Sequence, residues 1–242
     1  MRGIATATDG CSTPVITYTN AITAGACAGA YTLTRTWIAT DACGNTSTCN
    51  QIIVVQDTTK PVITCPVNVT INCPGDTTIA MRGIATATDG CSTPVITYTN
   101  AITAGACAGA YTLTRTWIAT DACGNTSTCN QIIVVQDTTK PVITCPVNVT
   151  INCPGDTTTA MRGIATATDG CSTPVITYTN SITAGACAGA YTLTRTWIAT
   201  DACGNTSTCN QIIVVQDTTK PVITFMPADT IINCPGDTTT AM

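Results

Sequence analysis

Short stretches of alternating hydrophobic and polar residues, separated by turn residues, run along the whole chain. Such alternation puts every second side chain on one face and is typical of half-buried strands. In the stretch 111–120, Tyr111, Leu113 and Trp117 share the face that we predict to lie in the core, while threonines occupy the other face. Five stretches within one repeat predict strands, at about 62–72, 82–88, 94–100, 111–120 and 127–136.

Turn sequences lie between these stretches, and no long window shows the period of a helix. Cys-Pro-Gly-Asp at 73–76, Asp-Gly at 89–90 and Gly-Asn at 124–125 are typical of turns. Short strands at this spacing are typical of β-sandwich modules. The pattern therefore predicts an all-β fold.

The sequence repeats almost without change every 80 residues, which is typical of tandem modules. Residues 1–78 recur at 81–158, and 161–224 repeat the block with one substitution, Ser181. The linker-like sequence at 57–61 follows a long predicted strand, so we place module boundaries there. Four segments result: the partial module (1–56), which lacks a first strand; module I (57–136); module II (137–216); and the terminal segment (217–242), which holds a first strand alone.

Composition excludes several function classes. The 242 residues include no His and no Glu, and 13 Asp outnumber nine Lys and Arg, for a net charge of −4. This charge gives no electrostatic reason to bind nucleic acid. No apolar run approaches the roughly 20 residues that span a bilayer. Without a catalytic His, a Cys-x-x-Cys pair or a phosphate loop, the sequence predicts no enzyme and no required cofactor.

Seventeen cysteines dominate the remaining chemistry. Zinc sites normally show Cys-x₂₋₄-Cys pairs, often with His, whereas here the nearest cysteines are Cys43 and Cys49. Disulfides therefore explain the cysteines better than zinc. Because disulfides persist in oxidising compartments, they predict a location outside the cell or on its surface.

Two sequence runs resemble a known family. The run ATDACGNTSTC followed by a hydrophobic strand, and then DTTKPVITCP, resembles hyalin-repeat (HYR-like) and related immunoglobulin-like modules. Such modules occur in tandem in extracellular adhesins and surface fibres of Bacteroidota. The resemblance implies tandem, disulfide-rich immunoglobulin-like β-sandwich modules arranged end to end. Phe225-Met226-Pro227 departs from the Thr-Cys-Pro pattern of the other copies.

Strand geometry narrows the disulfide pairing. A ten-residue strand is about 33 Å long, so cysteines at its two ends cannot bond, because a disulfide needs Cα atoms within about 7 Å. Strands of alternating direction then put Cys73 and Cys107 at one end of module I, and four cysteines at the other. We predict Cys73–Cys107, Cys91–Cys123 and Cys65–Cys129, although the last four cysteines allow other splits. The corresponding pairs of module II are Cys153–Cys187, Cys171–Cys203 and Cys145–Cys209.

The two end segments complement each other. The partial module would expose an apolar groove and an open sheet edge, and the terminal segment would be an unpaired apolar strand. Strand addition between copies of the chain removes both defects and builds a head-to-tail filament. We then expect Cys11–Cys43 within the chain, Cys27 bonded to Cys234 of another subunit, and Cys49 unpaired because Phe225 replaces its partner. A slice of a longer continuous array explains the same pattern.

Aspartates gather near one predicted end of each module. Converging carboxylates suggest calcium at the module junctions, although Asp-Gly and Asp-Ala-Cys-Gly are also plain turn formers. The candidate ligands are Asp57, Asp89, Asp121, Asp137, Asp169 and Asp201. Asp-Thr-Thr sequences also resemble O-glycan acceptors of Bacteroidota, or are turn residues, at Thr58, Thr77, Thr138 and Thr157.

Two functional classes follow from these features. The first is a structural subunit or segment of an extracellular fibre or adhesin stalk, in which copies assemble head to tail by donor-strand addition. The second is a threonine-rich surface that binds glycans or ice on a repeat adhesin. Outward threonines are also what any solvated sheet prefers, which favours the first class.

Overall fold

The computed structural model describes residues 3–231, and nearly all regular structure in this range is β-strand. The partial module contains β1 Val15–Ala24, β2 Tyr31–Thr40 and β3 Thr46–Val55. Module I contains β4 Val62–Thr64, β5 Val69–Asn72, the helical turn α1 Ile79–Arg82, β6 Thr86–Thr88, β7 Val95–Ala104, β8 Tyr111–Thr120 and β9 Thr126–Gln136. Module II contains β10 Val142–Thr144, β11 Val149–Asn152, α2 Thr159–Arg162, β12 Thr166–Thr168, β13 Val175–Ala184, β14 Tyr191–Thr200 and β15 Thr206–Gln216.

Each complete module is a sandwich of two sheets. In module I the larger sheet has the order β5-β9-β8-β7, and the smaller sheet pairs β4 with β6. The pairing of β5 with β9 is parallel, and the other pairings are antiparallel. Module II repeats this arrangement with β11-β15-β14-β13 and β10-β12. The predicted all-β fold of tandem immunoglobulin-like sandwich modules is confirmed.

The core of module I lies on the predicted face of β8. Leu113, Trp117 and Ala119 are buried along this strand, and Ile133 of β9 is fully buried beside them. Threonines occupy the alternate positions and remain half-buried. Burial of Trp117 removes one of the largest apolar surfaces of the module from water, so this side chain contributes strongly to its stability.

Arg115 also lies on the core face and is almost fully buried. Its Nε donates to Oδ1 of Asn100 at 3.0 Å, and Nη2 donates to the carbonyl oxygen of Thr77 at 2.9 Å. The guanidinium lies 5.1 Å from the ring centroid of Tyr98, within the range of a cation–π interaction. These contacts compensate in part for burying the charge.

The predicted strand at 62–72 is wrong as one element. It forms two short strands, β4 and β5, which belong to different sheets. Cys65-Pro66 interrupts it, because proline has no backbone N–H to donate to a sheet. The predicted strand at 82–88 is shorter than expected and begins at Thr86, after the helical turn α1. β8 has the predicted bounds, and β7 extends four residues beyond them to Ala104.

The chain folds into two compact units. The first comprises 1–140 together with the loop segments 169–173 and 201–205, and the second comprises the rest of the chain from Pro141. The module boundaries at 57, 137 and 217 remain a prediction. No helix among residues 3–231 has the length and apolarity needed to cross a membrane.

Candidate functional site

Five disulfides join cysteines of the described residues, and their Cα atoms lie 5.0 to 5.9 Å apart. These disulfides are of two kinds. The first kind joins the two sheets of one module, as in Cys65–Cys129 and Cys145–Cys209. The other kind spans more than one repeat in sequence, as Cys27–Cys123, Cys73–Cys171 and Cys107–Cys203.

The disulfides within modules have the pairing that strand geometry gave. Cys65 follows β4 in the smaller sheet, and Cys129 lies on β9 opposite Trp117 of β8. The bond therefore joins the two sheets beside the largest core side chain. The same relation holds in module II for Cys145 and Cys209.

The pairings Cys73–Cys107 and Cys153–Cys187 are wrong. Cys73 bonds Cys171 of the loop segment 169–173, which belongs to the first compact unit. The Cys73 amide donates to the carbonyl oxygen of Gln136 at 2.8 Å, which holds this cysteine at the end of β9, where the chain leaves module I. The loop segment 169–173 lies beside this position, since a Cβ added to Gly170 would be 3.3 Å from Cδ of Pro74. Cys153 and Cys187 have no disulfide partner among residues 3–231.

The pairings Cys91–Cys123, Cys171–Cys203 and Cys11–Cys43 are also wrong. All six of these cysteines lie in loops at the same end of their modules. Three of them form disulfides, and each of these three bonds a cysteine at a strand end or in the turn after a strand. Cys27 bonds Cys123 within the chain, so the predicted bond from Cys27 to Cys234 of another subunit is corrected. Cys234 itself lies outside the described residues. The unpaired cysteines among residues 3–231 are Cys11, Cys43, Cys49, Cys91, Cys153 and Cys187.

The loop between β8 and β9 is built around the carboxylate of Asp121. Its Oδ1 accepts hydrogen bonds from the amides of Cys123 and Asn125, both at 2.8 Å, and its Oδ2 accepts one from Nδ2 of Asn125 at 2.7 Å. Gly124 completes the turn with a φ of 86°, a left-handed conformation that favours glycine. Asp41 and Asp201 hold the equivalent loops in the same way.

These hydrogen bonds set the pKa of Asp121. Partial burial raises the pKa of its carboxyl, but the hydrogen bonds from the side chain and amide of Asn125 and from the amide of Cys123 outweigh burial. The net pKa lies below the ordinary value, and that of Asp201 is lowered for the same reasons.

We expect the protein to lose stability in acid. Because the folded-state pKa values of Asp121 and Asp201 lie below their unfolded values, their stabilising effect is complete above about pH 4 and is lost as the pH falls through the folded values. Thermal unfolding followed by circular dichroism at pH 6, 4 and 2.5 should show a falling midpoint. Asp121→Asn with Asp201→Asn should flatten this dependence. An unchanged slope would assign the acid sensitivity to other groups.

The structure brings together some of the predicted metal ligands and not others. Carboxylate oxygens of Asp57 and Asp89 and Sγ of Cys91 lie within 4.8 Å of one another, and Asp137, Asp169 and Cys171 repeat the cluster. Because Cys171 is in a disulfide, sulfur is excluded as a ligand in that copy.

Unpartnered oxygens distinguish these clusters from ordinary turns. Asp57 is 8% exposed, and its Oδ2 and Oδ1 of Asp89 are buried without a hydrogen-bond partner. Asp137 and Asp169 each leave one oxygen in the same state. In contrast, both carboxylate oxygens of Asp121 and Asp201 accept hydrogen bonds inside their own loops. The candidate cation ligands are therefore two carboxylates per cluster, rather than the three expected from the sequence.

The predicted glycan acceptors have unlike surroundings. Thr58 and Thr138 are exposed, whereas Thr77 and Thr157 are half-buried. The hydroxyl of Thr138 donates to Oδ1 of Asn72 at 3.1 Å. Glycosylation at these four residues remains a prediction.

The partial module has an open groove that its identical copy in module I lacks. Ile133 is fully buried and Val135 is 3% exposed in module I, packed against Val69 and Ile71 of β5. Their counterparts Ile53 and Val55 are half-exposed, and no strand of residues 3–231 lies beside them in the position of β5. Because residues 1–56 are identical to 81–136, the difference arises from the segments that precede this sequence in module I, β5 among them, and not from the local sequence.

The terminal segment leaves the matching apolar surface exposed. Residues 218–231 form no strand, and Val222, Ile223, Phe225 and Met226 are each about four-fifths exposed. Pro-Val-Ile-Thr at 221–224 is identical to the sequence at 61–64 that begins the first strand of module I. The chain thus contains both a partial module that lacks the counterparts of β4 and β5 and an unpaired copy of the β4 sequence.

Gln131 is a structural residue that the sequence pattern did not reveal. It is fully buried, and its Nε2 donates to the carbonyl oxygens of Val67 at 3.2 Å and Arg82 at 2.8 Å. These bonds fasten β9 to the chain between β4 and β6. In the partial module Gln51 instead accepts a hydrogen bond from Nε1 of Trp37 at 3.3 Å. A polar residue at an inward position of an alternating strand was the available signal.

Cys65→Ala with Cys129→Ala should destabilise module I by about 2–5 kcal/mol, because the bond between the sheets is lost. Denaturant unfolding followed by circular dichroism measures this change. Cys49→Ala is the matched control, since Cys49 has the same local sequence as Cys129 but no disulfide partner in the described part of the chain. We expect that variant to stay within about 0.5 kcal/mol of the parent. Equal effects of the two changes would contradict the assigned role of the disulfide.

No protein-family model and no curated protein matches the chain. Among solved structures it is similar to the protocadherin gammaB7 EC3-6 cis-dimer structure, at 13% identity and a TM-score of 0.33, over 85% of this chain and 69% of that one. It is also similar to PcdhgB3 EC1-4, at 15% identity and a TM-score of 0.33, over 79% of this chain and 58% of that one. Mouse clustered PcdhgC3 EC1-3 matches at 12% identity and a TM-score of 0.29, over 78% and 77%.

These TM-scores are too low to carry an argument about function. The resemblance to hyalin-repeat modules of Bacteroidota remains a prediction.

Proposed function

We propose that the chain is a structural segment of an extracellular fibre or adhesin stalk, in which copies join head to tail. The terminal segment of one copy fills the groove of the partial module of the next and supplies the first strand that this module lacks. In this strand addition, the donated segment makes the main-chain hydrogen bonds and fills the side-chain pockets that the first strand of an internal module makes and fills. Successive head-to-tail contacts then build an open filament.

The observation that carries the proposal is the different burial of identical sequences. Ile133 is fully buried where β5 is present, while Ile53 is half-exposed where it is absent. An exposed apolar groove is costly in water, and an unpaired strand edge invites pairing with another chain. The terminal segment carries sequence counterparts of both missing strands, because 221–224 repeats 61–64, which includes β4, and 230–233 aligns with 69–72 of β5.

Polar contacts of module I indicate which bonds the donated segment would make. The amide of Ile132 donates to Oδ1 of Asn68 at 2.7 Å. In the terminal segment, the residue four positions before Asn233 is Asp229, as Asn68 is four before Asn72. A carboxylate oxygen accepts the same hydrogen bond. The departure at Phe225 and Met226 therefore removes the disulfide of the strand but keeps this acceptor.

The disulfides support a location outside the cell or on its surface. Five bonds among the described residues require an oxidising compartment to form and persist. A covalently braced module resists proteolysis and unfolding, as a stalk exposed to the environment requires.

Electron microscopy and reducing electrophoresis test the proposal together. The purified chain should form filaments, and boiling with a thiol reductant should release polypeptides of about 24.8 kDa. Native material that stays much longer after reduction would replace exchange between chains with a continuous array. Chains that remain monomeric at high concentration would refute the assembly itself.

We also propose that Asp57 with Asp89, and Asp137 with Asp169, each hold a divalent cation such as calcium. The support is the buried, unpartnered oxygen on each carboxylate, since such oxygens are costly without a proton or a cation. Two carboxylates leave most of the six to eight calcium ligands to water and backbone carbonyls. We therefore expect weak binding, with a Kd of about 10⁻⁴–10⁻³ M.

Terbium luminescence sensitised by the tyrosine and tryptophan side chains measures this binding, with calcium as the competitor. Asp89→Asn with Asp169→Asn should weaken it at least tenfold. Asp9→Asn is the matched control, because Asp9 has the same local sequence but lies outside both clusters. Equal binding by the double variant and the control would refute the assignment. The threonine-rich glycan or ice surface remains a prediction.

A further inference from the structure

The disulfides that span more than one repeat follow a regular sequence relation. Cys27 bonds Cys123 and Cys107 bonds Cys203, and both pairs are 96 residues apart with Cα atoms 5.0 Å apart. In each pair the first cysteine lies in the turn before a long strand, and the second lies in the Asp-Ala-Cys-Gly loop of the following repeat. Cys73–Cys171 adds a second bond of this kind, 98 residues apart.

The same relation continues beyond the last pair. Cys187 occupies the turn position of Cys27 and Cys107, and Cys153 occupies the strand-end position of Cys73. Neither has a partner among the described residues. The repeat relation would pair each of them with a loop cysteine of the next repeat. In a second copy of the chain, the loop cysteine that corresponds to the partner of Cys187 is Cys43, and the one that corresponds to the partner of Cys153 is Cys11.

Burial separates the bonded cysteines from these four. Cys107 and Cys203 are half-buried, while Cys187 and Cys43, in the same local sequences, are exposed. Likewise Cys171 is half-buried and Cys11 is exposed. The exposed cysteines therefore differ from their bonded counterparts in lacking the neighbouring loop or turn rather than in local sequence.

A steric feature that recurs in the turn gives independent support. Gly109 has a φ of 89°, and a Cβ added to it would lie 2.9 Å from Cβ of Cys171. A Cβ on Gly29, with a φ of 85°, would lie 2.6 Å from Cβ of Cys91. The turn thus packs closely against a loop cysteine whether or not that cysteine is bonded.

The third copy of this turn has the same shape without that contact. Gly189 has a φ of 82°, and the only atom of the described residues near its added Cβ is Sγ of Cys153, at 3.3 Å. The space that Cys171 occupies beside Gly109 is thus free beside Gly189. The loop of a second copy that carries Cys11 has the sequence to fill it.

We propose that two disulfides join successive copies of the chain, Cys187 to Cys43 and Cys153 to Cys11 of the next copy. This inference rests on the proposed head-to-tail assembly and adds its covalent closure. Each bond forms by exchange with a disulfide oxidant: two thiols become one protein disulfide, and both protons and both electrons pass to the oxidant, which becomes two thiols. The junction then has the same two bridges that Cys107–Cys203 and Cys73–Cys171 supply inside the chain.

The test uses full-length variants in which Cys49, Cys91 and Cys234 are changed to serine, so that four unpaired cysteines remain. Oxidised glutathione serves as the oxidant. The head-blocked variant adds Cys11→Ser and Cys43→Ser, and the tail-blocked variant adds Cys153→Ser and Cys187→Ser. The background protein should give a ladder on non-reducing gels. Each blocked variant alone should stay monomeric, and their mixture should give a covalent dimer and nothing larger.

Peptide mapping of that dimer should recover Cys187 linked to Cys43 and Cys153 linked to Cys11. A bond between Cys153 and Cys187 of one chain, or a dimer of the tail-blocked variant alone, would overturn the inference. Light scattering of a variant that adds Cys11→Ser, Cys43→Ser, Cys153→Ser and Cys187→Ser to the background separates the two proposals, because its five internal disulfides stay intact. Filaments of this variant without a ladder from the oxidised background protein would refute the cross-links alone. Specific cross-links in the background protein without assembly of this variant would refute strand exchange alone, and the absence of both would refute both.

Discussion

Ile223→Asp is expected to abolish filament formation while the chain itself stays folded. The counterpart Ile63 lies on the inward side of β4 and is half-buried, so in an assembled filament Ile223 would face the core of the partial module. A carboxylate there would lose its hydration without gaining a partner, at a cost of several kcal/mol. A cost of several kcal/mol at each junction lowers the association constant between copies of the chain by orders of magnitude.

Val222→Asp is the matched control for this change. The counterparts Val62 and Val142 are 69% and 70% exposed, so an aspartate at position 222 would stay in water. Negative-stain microscopy and light scattering should show filaments for Val222→Asp and monomers for Ile223→Asp, with identical circular dichroism. Equal assembly of both variants would mean that the terminal segment does not enter the groove by this face.

Trp117→Ala is expected to destabilise module I by about 3–5 kcal/mol, because it removes a large side chain that is 1% exposed. Module II keeps Trp197 and serves as an internal reference. Denaturant unfolding followed by circular dichroism, without reductant, should show an early transition for the altered module alone. The exposed Ile102 on β7 gives the control Ile102→Ala, which should change stability by less than about 0.5 kcal/mol.

The corresponding change in the partial module links stability to assembly. Trp37 is 8% exposed, and the strand that completes the core around Trp117 is absent there. In the monomer we expect Trp37→Ala to lower the free energy of unfolding by less than Trp117→Ala does. In the filament we expect the two losses to become similar. An equal cost in both states would indicate that the groove is already filled in the monomer.

The strands were predictable where alternation is long and uninterrupted. β8 has the bounds that the pattern gave, because Leu113, Trp117 and the threonines between them leave one arrangement that buries the apolar face. The run at 62–72 failed because alternation continues through Cys65-Pro66 while the hydrogen bonding does not. Only the absent N–H of the proline marked the change of sheet.

The disulfides were predictable within a module and not beyond it. Strand geometry placed Cys65 and Cys129 at the same end of one sandwich, which made their pairing one of the few that remained possible. For Cys107, the partner Cys203 is one 80-residue period beyond Cys123 and has identical neighbours. In a perfect repeat, local sequence carries no information that separates a partner in the same copy from one in the next. The loop segments 169–173 and 201–205 resolve this ambiguity through their place in the first compact unit.

The long-range disulfides also overlap along the chain, which decides how the chain responds to pulling. The loop closed by Cys27–Cys123 contains Cys107, from which a second bond leads to Cys203. The shortest covalent route from Cys27 to Cys203 therefore passes through two sulfur bridges and the short backbone segment between Cys107 and Cys123. Tension applied to the ends travels along this route, so most of β4 to β14 carries none of it. Between Cys27 and Cys203 we therefore expect the chain not to unfold module by module under tension and to lengthen little.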